Sequence, residues 1–390
     1  MGVAVWGKLF HVTETVATQL LLACHFHPPQ QICCICLRKS TEVRPSRGVD
    51  GVTEGDGVYQ DDPYVSDLLM RRKYIAFTFA GIALMGCMLV TWSIGANRRI
   101  PFVKKIGEYS IGIYTGTSPF ELLPDAAIEN PVLTARDVTD VPASFVADPF
   151  MVHCDNQWYM FFEVMNAASG HGDIGLAVSQ DGRKWDYKQI VLDEPFHLSY
   201  PNVFNWNGDW YMVPETRLAY AVRLYKAKVF PQEWVYVQDL VTGNYLDPSI
   251  FHDQGRWWMF AAERCDVLHL FHAESLTGPW IRHPRSPVVT LDGNIARPGG
   301  PVIKCNGRLY RYTQDCDPGY GNQVRAFEIT KLTPEVYEEQ PVPQNPVVQA
   351  TGQGWNGEQM HHVDPHYVEG VGWIAAVDGY GNRLVFGLAY

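Results

Sequence analysis

The stretch ADPFMVHCDNQWYMFFE, Ala147–Glu163, returns about a hundred residues later as LDPSIFHDQGRWWMFAAE, Leu246–Glu263. Between them stands YPNVFNWNGDWYMVPE, Tyr200–Glu215. Each copy has a residue before proline, an apolar run, an Asn or Gly turn, an aromatic pair and a closing acid. Met160, Met212 and Met259 follow the three prolines by the same interval. Apolar runs joined by such turns read as β-hairpins. Two looser copies follow, GGPVIKCNGRLYRYTQ from Gly299 and VDPHYVEGVGWIAAVD from Val363.

A spacing of about fifty residues is the range in which repeats mean propellers or solenoids. After each of the first four hairpins comes another strand pattern: DIGLAVSQDGRKW from Asp173, VRLYKAKVFPQEW from Val222, LHLFHAESLTGPW from Leu268 and VRAFEITKLTP from Val324. A hairpin, a third strand and a return strand make one blade. The expected fold is therefore all-β, a five-bladed β-propeller over residues 109–390. Two segments compete for the third strand of the last blade. SIGIYTGTSPF from Ser110 would bring in the N-terminal end, and RLVFGLAY from Arg383 would use the C-terminal one.

In a hairpin, the start of the first strand and the end of the second lie at the same end of the sheet. Asp148 then shares a rim with Glu163, Tyr200 with Glu215, Asp247 with Glu263, and Asp364 with Asp378, with Gln314 between. With the first strand of each blade innermost, these groups converge on one mouth of a central funnel. The HLSYP segment adds His197, and ARPGG adds Arg297, as either a salt-bridge partner or a ligand clamp. Glu194, Asp315 and His362 complete the candidate ligand-binding rim. Acids accept hydrogen bonds from sugar hydroxyls and aromatic rings stack on sugar faces, so the expected ligand is a glycan. No metal-ligand spacing occurs at the rim, so no metal or other cofactor is expected in this chain. Most of the 12 Trp, 20 Tyr and 18 Phe residues are expected to pack strands.

The formal charge of −11 argues against nucleic acid as a partner, because a phosphate backbone requires a basic face. Tyr74–Ala96 runs 23 residues without a charge, long enough to span a bilayer. It lies too far from the N-terminus for a cleaved signal peptide and reads as a signal anchor. Basic residues flank it on both sides, so their count does not choose an orientation. Residues 1–73 read as a disordered tail and 97–108 as a short stem. The tail's CHFHPPQQICCIC, Cys24–Cys36, matches no zinc-finger spacing and is expected to carry lipid or reduced thiols. Cys154, Cys265, Cys305 and Cys316 allow either two disulfides or four free thiols.

Two resemblances attach to these residues. ADPF and the recurring Asp-Pro pairs resemble the superfamily of glycoside hydrolase family 43. That resemblance implies Asp148 as general base and Asp247 as an orienting carboxylate. It also implies a general-acid Glu where this chain has Arg297-Pro298-Gly299-Gly300; Glu215 or Glu194 would have to substitute. A closer resemblance extends over roughly 280 residues. FVADPFMV, DEPFHLSYPNVF, YMVPE, ARPGG and NGRLYRYTQDC followed by Tyr320-Gly321 are similar to the N-terminal domain of plant glucosamine inositolphosphorylceramide transferases. It implies a single-pass type II Golgi membrane protein with its propeller in the lumen. It also implies a separate exostosin-like domain for transfer, with a divalent metal, expected to lie beyond Tyr390.

Three functions follow as expectations. The first is a luminal propeller that binds a glycan or glycosphingolipid headgroup. The second is a glycosidase using Asp148 and Asp247. The third is a non-catalytic platform that recruits other Golgi transferases.

Overall fold

The computed structural model describes residues 63–95 and 103–386. Residues 1–62, with the Cys24–Cys36 cluster, and 96–102 lie outside the described residues, as do the last four residues of RLVFGLAY. Helix α1 spans Pro63–Gly95, so the end of the expected disordered tail is helical. Pro63 suits the first helical position, where its missing N–H leaves no bond unmade. Side chains are described from Met70 to Met88, and all are exposed. Among the described residues, no helix is long and apolar enough to cross a membrane. That stretch includes Arg71, Arg72 and Lys73, and the apolar run goes on past it into 89–96.

Residues 103–386 form five antiparallel sheets. Blade 1 takes its strands in order from Ala143–Cys154, Gln157–Asn166, His171–Ser179 and Asp186–Leu192. Blade 2 takes Ser199–Trp206, Asp209–Glu215, Ala221–Val229 and Glu233–Thr242. Blade 3 begins with Leu246–Asp253, Arg256–Arg264 and Val267–Ala273, and blade 4 with Ile303–Cys305, Arg308–Gln314 and Gln323–Leu332. Short strands complete these two sheets.

Blade 5 settles which end closes the ring. Its inner hairpin is Val363–Val368 with Gly372–Phe386, and the N-terminal Val103–Ser118 supplies the third strand. Glu121–Pro124 is the fourth. The pairing runs from Val103 opposite Phe386 to Gly116 opposite Trp373. Arg383–Phe386 therefore extends the second strand instead of forming a third. The latter half of the expected stem, from Val103, belongs to the sheet. Two segments far apart in sequence thus knit one sheet.

Apolar side chains fill each blade-to-blade interface, giving five cores around the ring. The repeated methionines are all fully buried, and each faces the preceding blade. Met160 packs with Ile111 of blade 5, Met212 with Phe161 of blade 1, and Met259 with Val213 of blade 2. Trp185, Trp234 and Trp280 end the third-strand motifs. Each turns its indole N–H onto a backbone carbonyl three or four residues back. These rings serve the packing of blades.

Candidate functional site in the propeller mouth

The residue before proline is what builds the mouth. Asp148, Tyr200 and Asp247 have φ of 52°, 49° and 46°, in the left-handed region. At each, strand pairing shifts register, between Ala147 and Phe150, Ser199 and Asn202, and Leu246 and Ser249. A β-bulge of this kind re-aims a side chain out of the regular alternation. In blade 4, Gly300 stands in that position with φ 151°. A Cβ there would come within 2.1 Å of the Val363 carbonyl oxygen, so only glycine fits.

Two corners make up the pit. In the first, the Asp378 carboxylate collects four donors. Oδ2 accepts the Asp148 backbone N–H at 3.1 Å, and Oδ1 accepts His361 N–H at 3.1 Å, His362 N–H at 3.0 Å and His361 Nδ1 at 2.7 Å. His361 Nε2 then lies 3.5 Å from Asp148 Oδ1. Burial pushes Asp148 up to about 7, with His361 opposing the rise and Asp247 and Asp378 adding to it. Asp378 moves the other way: burial would raise it, but His361 holds it below the usual carboxylate range. His361, though buried, is raised by Asp378.

In the second corner, Arg297 Nε donates to Asp247 Oδ2 at 2.6 Å and its guanidinium comes within 3.9 Å of Glu215. Gln314 Nε2 donates to the same Asp247 oxygen at 2.9 Å, and Glu215 accepts the Asp247 N–H at 3.2 Å. Burial drives Glu215 upward, helped by Asp247 and opposed by Arg297. Glu163 is likewise raised, first by burial and then by Asp148 and Glu215. His197 Nε2 lies 3.5 Å from it. His197 Nδ1 accepts the Gly172 N–H at 2.8 Å, and burial lowers its basicity. Asp148, Glu163, Glu215, Asp247 and Asp378 are all buried and all interact electrostatically.

Aromatic rings flank the pit. Tyr109 and Tyr320 pack on His361 with ring centroids 4.8 and 5.2 Å away, and Tyr320 lies under the Arg297 guanidinium at 5.0 Å. Tyr320 remains 40% exposed, which makes it a face for stacking. Neither tyrosine nor His361 follows from the repeat. The signals were the Tyr320-Gly321 step, in the loop between the second and third strands of blade 4, and the adjacent His361-His362 pair, just before the first strand of blade 5.

Several expected rim residues lie elsewhere. Glu263 is exposed and bonds His269 at 2.8 Å. Glu163 pairs opposite Ala147 and Glu215 opposite Ser199, whereas opposite Leu246 stands Ala262. One residue of offset turns a strand side chain to the other face. Asp364 has no bulge; it pairs regularly with Ala376, ties blade 5 to blade 1 by accepting the Met151 N–H, and lies 3.0 Å from His366 Nε2 of its own strand. Asp315 is held by Arg325 and Gln323. Glu194 accepts from Tyr225 at 2.8 Å, outside the carboxylate set.

Tyr200 and His362 form a floor. The Tyr200 hydroxyl donates to the Gly300 carbonyl at 2.7 Å, accepts the Gly300 N–H at 2.8 Å and lies 2.8 Å from Ser249 Oγ. His362 packs between Phe150 and Tyr200. Neither of its ring nitrogens has a hydrogen-bond partner, and burial lowers it to about 4.

All five described cysteines are free thiols. Cys265 and Cys316 interact at the edge of the pit, where contact with Cys316, and Arg297 nearby, lower Cys265 to about 6. Asp148, His361 and Asp378 are grouped closely enough to hold a metal ion. Asp378 of that group already accepts from four donors.

The fold agrees with the comparisons. A family model described as "Glucosamine inositolphosphorylceramide transferase 1, N-terminal" matches residues 103–380, the span of the propeller from its closing strand onward. Glucosamine inositolphosphorylceramide transferase 1 of Oryza sativa subsp. japonica is 35% identical over 340 residues, covering 79% of this chain and 45% of that protein. The Arabidopsis thaliana protein of the same name is 35% identical over 297 residues, covering 70% and 39%. The chain thus spans about half or less of the relatives' length. Among solved structures, a candidate glycosidase from Bacteroides thetaiotaomicron superposes with a TM-score of 0.51 at 12% identity, covering 67% of this chain and 97% of that one. This last likeness is one of fold. By its match over most of its length, the chain belongs to the glucosamine inositolphosphorylceramide transferase family, in that family's N-terminal region.

Proposed function

We propose that the propeller mouth binds the glycan part of a glycolipid headgroup, within a pathway of sphingolipid glycosylation. One observation carries this reading: five buried carboxylates share one pit with the Arg297 guanidinium and with Tyr320 as an open ring. Burial favours the protonated forms of Asp148, Glu163 and Glu215 while His361 holds Asp378 as a carboxylate, so the set offers both donors and acceptors to sugar hydroxyls. A phosphate would meet net negative charge there, so the hydroxyl-bearing end of a headgroup fits better. We assign transfer, and the divalent metal it needs, to the part of the relatives outside the match.

The family's membrane pathway and the charge-free run Tyr74–Ala96 support a type II anchor in the Golgi membrane, with the propeller in the lumen. Protease protection of the propeller in sealed microsomes tests that placement; digestion without detergent overturns it. For the pit, calorimetric titration of the detergent-solubilised full chain with inositolphosphoryl glycans is expected to show binding. Tyr320→Ala is expected to weaken it about tenfold, in line with about 1–2 kcal/mol for a stacking ring. No heat at millimolar glycan from folded protein overturns the reading.

A second reading, hydrolysis, has one observation in its favour: burial raises Glu215, against the opposing pull of Arg297, in the same pit as Asp148. Against it, Asp247 is tied by Arg297 and Gln314. Glycosidase activity abolished by Asp148→Asn and Glu215→Gln would favour it. A platform role with other transferases is the third, and pull-down from Golgi membranes tests it.

A further inference from the structure

Outside the pit, a second group of side chains has the composition of a metal site. His171 and Asp173 open the third strand of blade 1, and alternation puts residues two apart on one face of the sheet. The fourth strand runs antiparallel to it, with Leu192 opposite Ile174, which delivers Asp193 to the same edge. One ligand atom from each of the three lies within 4.8 Å of the other two. An ion with ligand distances of about 2.0–2.2 Å closes such a triangle with small side-chain movements.

The orientation of Asp173 gives the independent argument. Its side chain is 2% exposed. Oδ2 accepts from Asn166 Nδ2 at 2.9 Å, while Asn166 Oδ1 is occupied by the Ala168 and Ser169 N–H groups, which fixes the amide. Oδ1 has no hydrogen-bond partner; His171 Nδ1 is 3.3 Å from it. A buried carboxylate oxygen without a donor is costly. An outer amide that orients a carboxylate toward a gap is the usual support of a metal ligand. Asp193 is exposed and leaves the gap open for entry and for water.

We infer that His171, Asp173 and Asp193 bind a divalent cation through His171 Nδ1, Asp173 Oδ1 and an Asp193 oxygen. One imidazole and two carboxylates suit Mn2+ or Zn2+ better than an all-oxygen ion such as Ca2+. The site borders the pit. Gly172, between two of the ligands, donates its N–H to His197, which faces Glu163. A Cβ on Gly172 would come within 2.3 Å of the Leu198 carbonyl oxygen, so the strand passes there only as glycine. The competing arrangement is a proton shared between Asp173 and Asp193, in keeping with the upward shift that burial and Asp193 impose on Asp173.

The test is titration of the full chain with Mn2+, followed by electron paramagnetic resonance, and with Zn2+, followed by calorimetry. Wild type, His171→Gln and Asp173→Asn are compared, with melting curves as a fold control. The expected result is one bound ion lost, or weakened at least tenfold, in each variant, and an ion-dependent rise in wild-type Tm that both variants lack. Should Asp173→Asn fail to fold, His171→Gln, at a partly exposed position, decides alone. Variants that bind as wild type does would place any ion elsewhere and overturn the inference. A wild-type chain that takes up no ion at millimolar concentration would overturn it in favour of the shared proton.

Discussion

The Asp148 and Asp247 corners begin from the same local sequence and the same backbone. Each aspartate precedes a proline, stands at a bulge and has a positive φ. Each also donates its backbone N–H to a neighbouring carboxylate, Asp378 or Glu215, but the groups that meet the two side chains differ. Asp247 meets a guanidinium and an amide, Arg297 and Gln314. Asp148 meets a histidine whose other nitrogen is held by a third carboxylate. A repeat therefore delivers equivalent carboxylates, and the non-repeated residues beside them decide their charge. One corner is a salt bridge; the other is set to change protonation with pH.

Removing Arg297 should have the largest effect, because it strips the salt-bridged corner of its cation. Arg297→Met leaves the buried Asp247 without its cation and with only the Gln314 amide beside it, and losing one partner of a buried pair costs about 3–5 kcal/mol. Chemical denaturation should show that loss, and adding Asp247→Asn should restore part of it. A variant as stable as wild type would mean that the corner is wetter than the structure indicates.

The other corner should reveal itself through pH. Asp148 is raised on folding from 3.8 to about 7, so the folded state binds more protons than the unfolded one between those values. Its contribution is full below pH 3.8 and is lost as pH rises to about 7. His361 is also raised, so its contribution is full below 6.5 and is lost as pH climbs further. Both groups weaken the fold on the alkaline side. Asp148→Asn should flatten the decline between pH 4 and 7, of order 3–4 kcal/mol at 1.36 kcal/mol per pKa unit. An unchanged slope would place Asp148 in water.

Below both corners, Tyr200→Phe strips the two bonds to the Gly300 backbone and one to Ser249. It should cost about 1–3 kcal/mol, the range for buried groups left unsatisfied, at every pH. The smallest effect concerns reactivity alone. Cys265, lowered to about 6 by Cys316 and Arg297, should alkylate at pH 7 ahead of Cys154 and Cys305, which burial raises. In Cys316→Ser its midpoint should move up.

How far the chain could be read in advance varies with the element. The Pro-led hairpins were legible because proline, turn and methionine recur at one interval, and the five inter-blade cores follow from that spacing. The convergence of Asp148, Glu163, Glu215 and Asp247 was legible for the same reason. Glu263 was misplaced because identical-looking motifs can differ by one residue in register, and strand alternation punishes that slip with a change of face. Asp364 differs from Asp148 and Asp247 because its Asp-Pro lacks the bulge, and its carboxylate goes to the Met151 N–H and His366. His361, Tyr109 and Tyr320 carried no periodic signal at all, since they come from connections and from the closing strand.

By itself the sequence determined the number of blades, the side of the ring where carboxylates gather and the family, because these rest on periodic patterns and ordered motifs. Only the tertiary structure decided that the N-terminal strand closes the ring, that Arg297 pairs with Asp247 and that His361 faces Asp148. Those pairings join residues 50 to more than 200 positions apart. Their energies depend on burial and distance, quantities that exist only once the ring has closed.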